Sequence, residues 1–314
     1  MNPVSRRGVC RSTFECVGSV MVMKVEVLAV QNSDKCGPGL LAEWLSDAGV
    51  HLDVVRVFAG EEVPSRLSAH GLLVLGGAPS PRDDEVAPWF PQVRALLASA
   101  VEDQVPTLGI CLGHQLLAMA CGGDAGPARG EAEVGLHEVQ VDRSATADDP
   151  LFESLPELVP VVESHEDEVW ELPPGAVALA STPSCRYQAY RIGRCAWGVQ
   201  FHPEVTAPNY LGWARRHRPL RPAAGKSPVD MLAACEAAAP RLIATWSGFA
   251  GRFAQVVHRH AHRLEAERFR TDRGTTAATP STIVDPESLM EPAAARFRTR
   301  LNAEQGRHRR SIST

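Results

Sequence analysis

A chain of 314 residues, 44% hydrophobic and with a formal net charge of −5, is long enough for one large packed domain or two small ones. Its mild acidity excludes an overall bias toward nucleic acid or anionic membrane, so neither is expected as a partner, although the carboxyl-terminal segment is rich in Arg. Eight cysteines without a single C-x-x-C pair match neither a disulfide framework nor a zinc cluster, which predicts a reducing, cytoplasmic setting with no metal and no cofactor.

Residues 1–22 show little periodicity and no uninterrupted apolar core, and read as a disordered leader. From Lys24 short apolar runs alternate with amphipathic stretches: VEVLAV at 25–30, GLLAEWLSDAG at 39–49, LDVVRVF at 52–58 and GLLVLGG at 71–77. That alternation predicts β-α-β units, hence a mostly parallel sheet covered by helices. A helix over 91–102 follows, then the strand VPTLGI at 105–110, then a helix starting after Cys111 with Leu112, Leu116, Leu117 and Ala120 on one side. Four shorter strands at 136–141, 176–182, 186–193 and 195–201 read as an antiparallel-rich half of the same domain. The chain is basic and Pro-rich over 213–228, and helical with Gly and Pro interruptions over 231–257. The domain is therefore placed at 23–257, and 258–314 is read as an Arg-rich, disordered tail.

GICLGH, at 109–114, poses the chemical question, because a free cysteine is more often a small buried hydrophobe than a reagent. A strand that turns sharply into a helix forces an unfavourable backbone angle on the residue at the turn and needs small residues on either side. Gly109 and Gly113 supply them. Such a turn also sets the thiol at a helix N-terminus, where unpaired N–H groups and the helix dipole favour a thiolate. The second element is GVQFHPEV at 198–205, where a strand ends in His202-Pro203-Glu204. Side chains alternate along an extended segment, so His202 and Glu204 point the same way, a base presented with the carboxylate that orients it.

Two other motifs lack what their chemistry needs. AAGKSP at 223–228 has neither the first glycine nor the preceding strand of a phosphate loop. HRHAH at 258–262 has three histidines but no Cys or carboxylate cluster to complete a metal site, and reads as a solvated basic face.

GICLGHQLLA (109–118) together with GVQFHPEV resembles the class I, or triad, glutamine amidotransferases, above all the amidotransferase domain of GMP synthase and its stand-alone relatives. The resemblance implies a flavodoxin-like α/β fold, an open, mostly parallel sheet with helices on both faces. It implies a catalytic triad of Cys111, His202 and Glu204. LGGAPSP (75–81) is similar to the family's Gly-Gly-Pro turn, which implies an oxyanion hole from the backbone N–H groups of Gly77 and Leu112, with Ala78 as a departure. Gln115, Glu133, Ser164 and His165 match substrate-binding positions, and Glu166 stands where the family has Gly.

Three functions follow as alternatives. One is a glutaminase that forms a γ-glutamyl thioester and supplies ammonia to a separate synthetase, since no ATP pyrophosphatase motif is visible in the sequence. Another is a self-sufficient hydrolase of some other γ-glutamyl compound. The last is a non-catalytic regulatory protein, disfavoured because triad, elbow and oxyanion turn occur together.

Overall fold

The computed structural model describes residues 14–17, 20–205 and 228–273. Strands β1 (Phe14–Val17) and β2 (Val20–Met23) precede β3 (Val25–Gln31), helix α1 (Gly39–Asp47), β4 (Val50–Arg56) and β5 (Gly71–Val74). Then come α2 (Phe90–Glu102), β6 (Thr107–Ile110), α3 (Leu112–Ala120), β7 (Asp124–Pro127), β8 (Glu133–Val141) and β9 (Leu158–His165). The remaining elements are β10 (Asp167–Glu171), β11 (Val177–Ser181), β12 (Ala189–Ile192), β13 (Ala196–Val199) and the long helix α4 (Pro228–Arg273).

Nine of these strands form one sheet in the order β4-β3-β5-β6-β13-β12-β11-β8-β9. Pairing is parallel from β4 to β13 and antiparallel from β13 to β9. The inner parallel strands β3, β5, β6 and β13 are near-continuous in apolar residues because both their faces are covered. On one face Leu41, Trp44 and Leu45 of α1 share a core with Trp246, Phe249 and Phe253 of α4. On the other, Phe90, Val93 and Leu97 of α2 pack with Leu116 and Leu117 of α3. This is the open, mostly parallel α/β sheet with helices on both faces that the alternating pattern predicts.

The structure departs from the sequence reading at both ends. Within the stretch read as a leader, β1 and β2 pair antiparallel with Phe14 opposite Met23, the Val and Met run of β2 suiting a strand. The domain boundary expected at 257 falls inside α4, which runs on to Arg273. Pro240 lies exposed inside the helix, while the buried stripe continues through Phe253, Val257 and Ala261, so packing overrides the helix-breaking residues. HRHAH is accordingly not a solvated face: His260 is buried and His258 Nε2 donates to the Ala48 carbonyl at 2.9 Å. AAGKSP lies outside the described residues but for Pro228, as do 274–314 of the expected tail. No helix among the described residues is long and apolar enough to cross a membrane.

Candidate active site

The turn from β6 into α3 has the geometry of a nucleophile elbow. Cys111 holds φ 51° and ψ −107°, a conformation that costs a non-glycine residue of order 1–3 kcal/mol. A Cβ on Gly109 would stand 2.5 Å from the Gly113 carbonyl oxygen, and one on Gly113 would run into the carbonyl oxygen of Val74. Both glycines are thus steric requirements of the turn. The Cys111 N–H extends the β6–β13 ladder by donating to Val199 O at 2.8 Å.

His202 follows β13 and is anchored by its own N–H, which donates to Val162 O of β9 at 2.9 Å. Its Nδ1 lies 2.8 Å from Glu204 Oε1, leaving Nε2 as the ring nitrogen available to the Cys111 side chain, with which the imidazole also hydrogen-bonds. All three side chains are buried. Burial alone would disfavour the charged imidazole, but Glu204 and Cys111 together hold its pKa well above the ordinary histidine value. His114 behaves in the opposite way: burial takes it down to about 3, so it stays neutral beside the elbow. Gly39, at φ 50°, lets α1 close on this loop, because Leu40 N–H donates to Glu204 O at 2.9 Å where any Cβ on Gly39 would collide.

The glycine turn after β5 faces the same point. A Cβ on Gly76 would lie 3.2 Å from His202 Cε1 and 3.6 Å from Cys111 Cβ, and one on Gly77 would lie 2.6 Å from Leu112 Cδ2. Leu112 opens α3, so its N–H has no intrahelical acceptor. Ala78, the departure from the expected turn, is exposed.

Sequence reasoning missed the residues that hold this turn. Asn32, buried at the end of β3, donates from Nδ2 to Leu75 O at 2.8 Å and accepts from Trp89 Nε1 at 3.1 Å. A polar residue at the carboxyl end of a buried parallel strand, where ligands gather in open α/β sheets, was the available signal. Cys36 borders the site, since its Cβ would be 3.8 Å from a Cβ on Gly76. Burial, with Cys111 and Glu204 nearby, pushes its thiol up to about 12.

The other expected pocket residues differ in what their polar atoms do. Gln115 is buried, and its Nε2 donates to Asp167 O at 3.0 Å and Gln200 Oε1 at 3.1 Å. Ser164 is half-buried. Glu133 and His165 are buried and turned toward each other, Oε2 to Nε2 at 3.3 Å, with Gln188 Nε2 donating to the same Glu133 oxygen at 2.6 Å. Beside them Glu163 is fully buried, and desolvation together with Glu133 raises its carboxyl well above the usual range. Glu166 is exposed and its backbone needs no positive φ, so nothing in this geometry demands glycine there.

Residues 39–210 match the model of the class I glutamine amidotransferase family. The chain belongs to that family. This amidotransferase is 35% identical over 151 residues, 48% of its length, to a glutamine-hydrolysing GMP synthase subunit of Methanocaldococcus jannaschii, spanning 72% of that protein. It is 46% identical over 112 residues to the counterpart from Pyrococcus abyssi, covering 35% of this chain and 56% of that one. It thus spans little more than half the length of some curated relatives. The crystal structure of a glutamine amidotransferase from Methylobacillus flagellatus superimposes with a TM-score of 0.66 at 28% identity, over 76% of this chain and 95% of that one.

Proposed function

We propose that this amidotransferase hydrolyses the γ-amide of glutamine through a Cys111–His202–Glu204 triad and passes the ammonia to a separate synthetase. The observation that carries the reading is the line of three buried side chains in which His202 bonds Cys111 on one side and Glu204 on the other. The Cys111 thiolate attacks the γ-carbonyl carbon, and the resulting oxyanion is held by the N–H groups of Gly77 and Leu112. Collapse breaks the C–N bond as imidazolium His202 gives its proton to the leaving nitrogen, producing ammonia and a γ-glutamyl thioester. Water then attacks the thioester, His202 takes its proton, and glutamate leaves as the thiolate returns. Glu204 keeps the imidazole in the tautomer that faces sulfur.

Gln115 and Ser164 hold the amino-acid end of the substrate, and Glu133 and His165, whose polar atoms are engaged with each other, support them from behind. The relatives named as glutamine-hydrolysing subunits of GMP synthase support both the substrate and the synthetase partner.

The test is release of ammonia and glutamate by the purified chain, offered glutamine or a panel of γ-glutamyl peptides, beside Cys111→Ala. Cysteine-dependent ammonia from glutamine, raised by an added synthetase, is expected. Cleavage of peptides at a higher kcat/KM than glutamine would replace the glutaminase by a self-sufficient γ-glutamyl hydrolase.

A further inference from the structure

We propose that Glu133, His165 and Cys185 bind a zinc-type dication beside the buried carboxylate of Glu163. One ligand atom from each of the first three lies within 4.8 Å of the others, and all three residues are buried. The topology converges them from distant parts of the chain. Glu133 and His165 are direct cross-strand partners on β8 and β9, and Glu163, two residues back along β9, shares the face of His165. Cys185 comes from the β11–β12 connection, where its N–H donates to Thr182 Oγ1 at 3.0 Å and its carbonyl accepts from Thr182 N–H at 2.9 Å.

Two observations point to a ligand beyond the cluster itself. His165 Nδ1 lies 2.9 Å from the carbonyl oxygen of Asp167, which can only accept, so Nδ1 carries a proton and Nε2 is the nitrogen turned to the cluster. That nitrogen faces Glu133 Oε2 at 3.3 Å and Glu163 Oε2 at 3.5 Å. Two buried carboxylates converging on one ring nitrogen call for positive charge between them, an ion or a proton. Further, both carboxylate oxygens of Glu163, which has no solvent exposure, lack a hydrogen-bond partner among the described residues.

The donor set decides the kind of ion. Imidazole nitrogen, thiolate sulfur and a carboxylate suit zinc, with the fourth tetrahedral position left to Glu163 or water, whereas calcium and magnesium require oxygen alone. The outer partners are those that metal ligands need: the Asp167 carbonyl orients the imidazole and Gln188 Nε2 orients the Glu133 carboxylate. The ion would tie the β11–β12 connection to β9, the strand whose Val162 carbonyl anchors His202, and so has a structural role in holding the base.

The test uses the full chain purified without chelator or immobilised metal, with metal content measured by plasma mass spectrometry. About one zinc per chain is expected, retained in Cys111→Ala. Cobalt(II) added to the stripped protein is expected to give the intense visible bands of tetrahedral coordination and a thiolate charge-transfer band in the near ultraviolet. Cys185→Ser should lose the thiolate band, and added zinc should bleach the whole spectrum. A wild-type chain shown folded by circular dichroism that binds neither ion overturns the proposal. So does a thiolate band that survives Cys185→Ser or disappears in Cys111→Ala, since the metal would then sit on the elbow cysteine. A protonated carboxyl stretch in the untreated protein, lost in Glu163→Gln, would also overturn it, because a proton would then occupy the place of the ion.

Discussion

The indole of Trp246 lies 4.8 Å, centroid to centroid, from the ring of Phe201, the residue immediately before His202. Its Nε1 donates to Pro160 O of β9 at 3.1 Å, so α4 clamps both the strand that leads to His202 and the strand that anchors the His202 N–H. Trp246→Ala should cost about 3–5 kcal/mol by denaturant unfolding, the range for deleting a large buried aromatic. Trp246→Phe should cost distinctly less. Equal stabilities of the alanine variant and wild type would remove α4 from the support of the site.

Glycines give a paired prediction. Gly113→Ala sets a methyl group against the Val74 carbonyl, an atom of the sheet backbone that cannot turn aside. Expected outcomes are loss of amidase activity by at least about a hundredfold and destabilisation by several kcal/mol. Gly251→Ala meets nothing within 4 Å on α4 and should raise stability by about 0.5–1 kcal/mol with activity unchanged. Thermal melts of the two variants read both signs at once.

The elevated imidazole pKa of His202 makes a signed prediction. A fold that favours the charged imidazole gains stability that is complete below the unfolded histidine value, about 6.5, and is lost as pH rises through the folded value. Glu204→Gln lowers that folded value, so the His202 contribution to its stability deficit should be largest in mildly acidic solution and close as pH rises. In the pH profile of kcat/KM the alkaline limb should move to lower pH. An alkaline limb unmoved by the substitution would mean that Glu204 does not set the charge of the base.

Asn32 holds the start of the glycine turn in which the proposed oxyanion donor lies. Asn32→Leu leaves the Leu75 carbonyl and the Trp89 indole N–H without their partners, costing about 1–3 kcal/mol of stability. If the turn shifts as a result, kcat should fall by about tenfold or more with KM little changed, since an oxyanion donor acts in the transition state. Steady-state kinetics on glutamine separate this outcome from a purely structural one, in which kcat per folded molecule stays the same.

What the sequence revealed and what it concealed have a common cause. The elbow and the His-Pro-Glu triplet were legible because local backbone geometry allows only certain residues: Gly109 and Gly113 are forced by atoms close by in space, and Pro203 keeps its neighbours extended. The parallel half was legible because burial on both faces writes unbroken apolar runs. Asn32 left a weaker mark, since its partners Leu75 and Trp89 lie far along the chain and a lone polar residue after an apolar strand has many explanations. Strand β9 escaped because Glu163, Ser164 and His165 interrupt its apolar run with polar groups, of which His165 faces Glu133 of β8. Helix α4 was cut short because Arg and His residues after 257 look solvated in one dimension, while Ala261 and His260 still face the core in three.

The β6–β13 register has a bearing on how this enzyme fails. Ile110 pairs with Val199, and the next amide along, that of Cys111, joins the same ladder. The backbone of Cys111 is therefore tied to the strand that leads, three residues on, to His202, whose own N–H is held by β9. Such an assembly has no partly working state: heating should extinguish catalysis and the far-ultraviolet sheet signal together, and surface loops could be rebuilt around the pair without altering its reach.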